Sequence, residues 1–108
     1  MAKSDVPPGT GGGRRAPRFA IPKNHWYGPE SSDPRNHSGY WAKDRDDIRE
    51  LQYQMKKVRE WRGMGKIDGV YGEKTEAVMK KFQRQKGLAV DGLTGIKTWR
   101  AAWEEPIT

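Results

Sequence analysis

Two aspartates, Asp68 and Asp91, and two histidines, His25 and His37, are the side chains here whose types invite chemistry. A pair of carboxylates can cleave a glycosidic bond when one serves as acid and the other as base or nucleophile. Each aspartate, however, stands in the motif D-G-x-x-G, directly before a glycine. A calcium loop needs several oxygen ligands at close intervals, and this motif supplies one. Two histidines in a chain without cysteine make a poor zinc set, because a zinc site needs three or four converging ligands. No nucleophile, base and orienting group can be assembled from the remaining side chains. The expectation is a protein that is not an enzyme, holds no metal and needs no cofactor. Its two aspartates then serve as turn formers.

The aspartates belong to a longer repeat. Ile67-Asp68-Gly69-Val70-Tyr71-Gly72-Glu73-Lys74-Thr75 recurs as Val90-Asp91-Gly92-Leu93-Thr94-Gly95-Ile96-Lys97-Thr98, sharing the Asp, both Gly, the Lys and the Thr. An aspartate can accept a hydrogen bond from the backbone N–H two residues on, closing an Asx turn. Gly69 and Gly92 then allow a positive φ at no steric cost. The β-branched residue is expected to anchor each loop to the core, and Gly72 and Gly95 to permit close packing where a helix begins. Thr75 and Thr98 fall in that helix's first turn, where a hydroxyl can satisfy loose backbone groups. Each repeat therefore reads as a loop that launches a helix.

Helical periodicity surrounds the repeats. Ile48, Leu51, Met55 and Val58 share one face of a helix starting near Asp44 and ending at Gly63 and Gly65. Asp44, Asp46 and Asp47 at its start and Lys56, Lys57 and Arg59 near its end complement the helix dipole. A second helix is expected over Glu73–Lys86, with Val78, Met79 and Phe82 on one face and Gly87 as its stop. A third is expected over Ile96–Trp103, with Ile96, Trp99 and Trp103 in line. The fold class is all-α: a small three-helix domain over residues 44–108, preceded by a long irregular arm over residues 1–43.

The arm divides in two. Residues 1–22 are rich in proline and glycine and carry Arg14, Arg15 and Arg18. By itself such a segment is expected to be a flexible arm, because it buries too little apolar surface to offset its ordering entropy. Residues 23–43 are irregular yet hold Trp26, Tyr27, Tyr40 and Trp41, which suggests docking, either on the chain's own helical domain or on a neighbouring subunit. The net charge is +7, favouring an anionic partner: nucleic acid, an acidic wall polymer or an acidic protein surface. The aromatics are not interleaved with basic residues as in a nucleic-acid-binding signature, so nucleic acid is the unlikely member of that set. No apolar run resembles a signal-peptide core or approaches the roughly 18 residues of a membrane span. Neither a signal peptide nor membrane association is expected.

Order and spacing of these motifs resemble the three-helix peptidoglycan-binding domains of amidases, endolysins and phage proteins. The resemblance covers about residues 46–103. It rests on Leu51-Gln52, then Asp68-Gly69-Val70-Tyr71-Gly72 with Thr75, then Phe82-Gln83, Val90-Asp91-Gly92, and Gly95 with Thr98-Trp99. The chain departs from the family at Glu60–Lys66, which is bulkier and more basic, and at Thr94. The resemblance implies a non-catalytic module binding a glycan strand or stem peptide through Asp68, Gly69, Tyr71, Gln83, Asp91, Gly92 and Thr94. Phe82 and Trp99 read better as core, whereas Tyr71 sits in a loop that could be exposed. The favoured expectation is a bacteriophage virion component acting at the bacterial wall. Its arm (Arg14, Arg15, Arg18, Trp26, Tyr27, Tyr40, Trp41) would dock on other virion proteins. Alternatives are an assembly protein that keeps the fold without binding glycan, and a wall-targeting subunit for a lytic enzyme on another chain.

Overall fold

A computed structural model describes residues 15–107. Three α-helices follow one another: α1 (Ala42–Tyr53), α2 (Glu73–Gln85) and α3 (Ile96–Glu104). The all-α expectation holds, with two short additions. α1 runs on into a π-helical turn, Gln54–Val58, and two-residue strands β1 (Trp26–Tyr27) and β2 (Asn36–His37) pair in parallel.

Each helix buries the face its spacing marks. Ile48, Leu51 and Met55 from α1 and its extension meet Val78, Met79 and Phe82 from α2 and Trp99, Ala102 and Trp103 from α3 in one core. Phe82 and Trp99 are fully buried, as their stripes require. Helical winding from α1 stops at Val58, short of Gly63, and Glu60 takes a left-handed φ of 58°. Arg59 does not serve α1's own dipole. Its buried guanidinium donates to the carbonyls of Ala101, Ala102, Glu105 and Pro106, and Gln54 Nε2 donates to Ala102 O at 3.0 Å. The last carbonyls of a helix have no partner within the helix, and these two side chains cap α3 from outside. Ile96, expected in line with Trp99, instead faces solvent.

The irregular segment before α1 is built into this core. Tyr27 is 0% exposed, its ring 5.5 Å from that of Trp99 and edge-on to Phe19 at 5.8 Å. Trp99 Nε1 donates to Pro17 O at 2.8 Å, and Ala16 N–H to Glu104 at 3.0 Å. Backbone bonds complete the seam: Tyr27 and Thr94 exchange a pair at 3.0 and 2.8 Å, and Tyr71 N–H donates to Ser38 O at 2.9 Å. Tyr27 therefore docks on its own chain. The two histidines, distant in sequence, meet as well. His25 Nδ1 lies 2.9 Å from His37 Nε2, and His37 Nδ1 lies 3.1 Å from the buried Asp44 carboxylate, tying β1 and β2 to α1.

Tyr27→Ala should cost about 3–5 kcal/mol, the usual loss for truncating a buried aromatic, read as a lowered urea midpoint. The Tyr27 hydroxyl donates to Asp47 at 3.1 Å, and burial holds the Asp47 carboxyl above the ordinary carboxylate range. A raised folded-state value favours the protonated form, so this contribution is present at low pH and lost as pH rises through that value. Asp47→Asn, which still accepts the Tyr27 bond, should therefore raise the melting temperature at pH 7 and leave it unchanged at pH 3.

Candidate glycan-binding site

The two repeats are held by one device used twice. Gln52, buried on α1, accepts from the N–H groups of Asp68 (3.1 Å) and Gly69 (2.9 Å) through Oε1. Its Nε2 donates to Val70 O (3.0 Å), Thr75 Oγ1 (3.2 Å) and, at the longer 3.4 Å, Asp68 Oδ1. Gln83, buried on α2, reproduces the pattern on the second repeat. Oε1 accepts from Asp91 (3.1 Å) and Gly92 (2.9 Å), and Nε2 donates to Leu93 O (2.9 Å), Thr98 Oγ1 (3.1 Å) and Asp91 Oδ1 (3.0 Å). A loop this tight must leave backbone groups turned inward, and an unpaired buried one is costly. The glutamine amide, with two donors and an acceptor oxygen, meets them from the neighbouring helix.

The aspartates form the expected Asx turns, accepting from Val70 and Leu93 N–H at 2.9 Å each. Gly69 and Gly92 adopt φ of +82° and +75°. Any Cβ there would press on Arg45 or Glu76 at 2.9 and 2.8 Å. Other expectations change. Thr75 and Thr98 receive the glutamine amides instead of serving the backbone. Gly72 and Gly95 have nothing packed where a side chain would be; they cap α2 and α3 in extended conformation. Ile67 is half-buried and Val90 is 44% exposed, so neither is a firm anchor.

Tyr71 and Thr94, equivalent positions of the two repeats, are buried against each other. The Tyr71 hydroxyl donates to Gly92 O at 2.7 Å and lies 2.9 Å from Thr94 Oγ1. The possibility of an exposed Tyr71 is thus corrected: its ring is 1% exposed, and burial pushes its hydroxyl pKa up. What opens to solvent beside each repeat is a groove. One, of about 440 Å³, is lined by Gln52, Asp68, Val70, Gly72, Glu73, Lys74 and Thr75. The other, of about 370 Å³, is lined by the matching Gln83, Asp91, Leu93, Gly95, Ile96, Lys97 and Thr98, with Trp26 at its edge. Trp26 also carries the Arg35 guanidinium 4.9 Å over its ring. Of the remaining arm residues, Arg15 and Arg18 are exposed, Tyr40 and Trp41 are exposed, and Arg14 lies outside the described residues. Among the described residues no group of three His, Cys, Asp or Glu is placed to hold a metal ion. No described helix is long and apolar enough to cross a membrane.

Sequence reading missed the role of the glutamines, although Leu-Gln and Phe-Gln each precede a repeat. Gln83→Ala removes the amide's polar contacts to five atoms, three of them sharing the two Nε2 hydrogens, and strands two N–H groups. It should cost about 2–4 kcal/mol, since each unsatisfied buried group costs about 1–3 kcal/mol, measured by chemical denaturation. Gln52→Ala should behave alike.

Residues 44–102 match the family described as "Putative peptidoglycan binding domain". Over 55 residues, 49% of this chain, the sequence is 44% identical to a spore cortex-lytic enzyme of Bacillus cereus. It is 48% identical over 56 residues to a spore cortex-lytic enzyme of Bacillus subtilis. These stretches span only 20% and 17% of the relatives' own lengths. In three dimensions the chain is similar to the crystal structure of the SleB N-terminal domain, at 30% identity and a TM-score of 0.52, covering 77% of this chain and 93% of that one. Relatives that are spore cortex-lytic enzymes overturn the expectation of a location in a phage particle. The family match covers more than half the chain and includes both repeats with their glutamines: the chain belongs to the peptidoglycan binding domain family.

Proposed function

We propose that this chain is a non-catalytic wall-binding module that holds a lytic activity, carried outside these residues, against peptidoglycan. The carrying observation is the pair of equivalent grooves. Seven lining residues of one have counterparts in the other, and a duplicated concavity suits a polymer whose units repeat. The residues that the sequence singles out divide by role in this reading. Asp68, Gln83 and Asp91 line the grooves. Gly69, Gly92, Tyr71 and Thr94 set the loop shapes from beneath. Lys74 and Lys97, exposed at equivalent rims, would attract the carboxylates of stem peptides. Val70 (49% exposed) and Ile96 (46% exposed) offer apolar contact at the two grooves. The relatives' name, spore cortex-lytic enzyme, supports a wall polymer as the ligand class.

Sedimentation with purified insoluble sacculi tests this. The full chain should pellet at low salt and at about 0.15 M salt, where attraction between exposed charges beyond about 8 Å is screened. Val70→Asp and Ile96→Asp, at exposed positions, should each weaken retention about tenfold. The double variant should lose more than either if two linked grooves act together. Failure to pellet, or binding that vanishes at the higher salt, would leave the fold as an assembly unit that does not recognise glycan.

A further inference from the structure

Tyr40 and Trp41 are 66% and 65% exposed, the highest values for any large apolar side chain among the described residues. Their rings stand nearly perpendicular, 5.0 Å apart at 79°. They do not hang from a loose tail. Ser38 O is bonded by Tyr71 N–H at 2.9 Å. Gly39 has φ +94°, and a Cβ there would lie 2.1 Å from Gly69 O, so the chain is pressed directly on the first repeat. Arg45 reaches back from α1 to donate to Gly39 O at 2.8 Å and Tyr40 O at 3.1 Å. Trp41 O accepts from Asp44 N–H at 3.0 Å as α1 begins. Two aromatic side chains are thus held in water on a firmly bonded backbone, where burial would be the ordinary outcome.

The surroundings select a ligand class. On one side lies a cavity of about 420 Å³ whose walls include Glu30, Ser31, Asn36 and Lys43. On the other, a cavity of about 530 Å³ reaches Arg45 and Val70. Val70 also lines the first repeat's groove, so the two concavities adjoin. An apolar peptide or lipid would find apolar contact on the Val70 side, but on the other side it would meet the hydroxyl, amide and charged walls of the first cavity. A phosphate polymer stacks on aromatics but needs a basic track along its backbone, and here charges of both signs are mixed. A pyranose has what the site offers partners for: an apolar C–H face to lie on a ring, and a rim of hydroxyl and acetamido groups to hydrogen-bond at the edges.

We propose that Tyr40 and Trp41 form a sugar-stacking subsite for the glycan strand, continuous through Val70 with the groove of the first repeat. The subsite comes from residues that precede the family-matched stretch, and it rests on the wall-binding reading. It specifies that this end of the surface recognises the sugar and not the stem peptide.

The test uses the full chain and a soluble probe, the tetramer of N-acetylglucosamine, followed through the tryptophan indole N–H signals in NMR. Trp41→Phe identifies the Trp41 signal. That signal should shift on titration, while the buried Trp99 should not. Trp41→Ala should raise the Kd about tenfold and Tyr40→Ala several-fold, with thermal melting unchanged because both side chains are exposed. Trp41→Phe, which keeps a ring, should stay within about threefold of the unaltered chain. A Trp41 signal that ignores the tetramer, or moves with a free stem peptide instead, would overturn the subsite. So would Tyr40→Ala and Trp41→Ala chains that bind sugar and sacculi as well as the unaltered chain. If Ile96→Asp still weakens sacculus binding in that case, wall binding stands without the subsite. An unaltered chain that binds neither probe removes both.

Discussion

A polar constraint governs this small domain more than an apolar one does. Two loops turn sharply into helices, and each leaves inward-facing N–H and carbonyl groups that no helix or sheet can pair. A single buried glutamine on the preceding helix answers each loop, with five polar contacts apiece. The helix directions, the glycine conformations and the grooves outside the loops all follow from these two joints. A half-satisfied buried network is worse than an apolar one. Among the described residues, no buried side-chain polar atom is left without a partner.

The segment before α1 completes what the helices leave open. It joins the two repeats from one side, Tyr27 of β1 against Thr94 and Ser38, just past β2, against Tyr71, while Phe19 and Tyr27 close the core over Trp99. The fold likeness covers 77% of the chain, more than the stretch matched by the family model, so it extends into this segment. Buried and exposed aromatics are divided along it. Tyr27 faces inward, and Tyr40 and Trp41 face out.

Much of this was legible in the residues. Helix faces follow from apolar spacing, and α2 and α3 begin where the repeats say. The Asx turns and positive φ values follow from Asp-Gly alone. Long-range partners were not legible. Tyr71 looks exposed because its loop is polar, yet its partner Thr94 lies 23 residues on. His25 and His37 look isolated because nothing in the spacing announces two-residue strands, which are too short for a period. Arg59 looks like a cap for α1 because it lies near that helix, whereas the carbonyls it meets are more than 40 residues away. The grooves are legible only in part: Asp68, Gln83 and Asp91 could be named, but Ile96 and Lys97 become groove residues only once α3 is oriented.

The two joints also differ in one respect. Gln52 reaches an aspartate 16 residues ahead, and Gln83 one only 8 ahead, with almost the same five contacts. The joint is therefore defined by its two ends and is indifferent to the path between them. The longer path holds the π turn, the Arg59 cap and the bulky basic stretch at Glu60–Lys66 where the chain departs from its family. That leaves the exposed part of the connection, around Arg62 and Gly63, as the place where sequence can be added or exchanged, while Met55, Arg59, Trp61 and Met64 tie the rest of the path to the core and to α3.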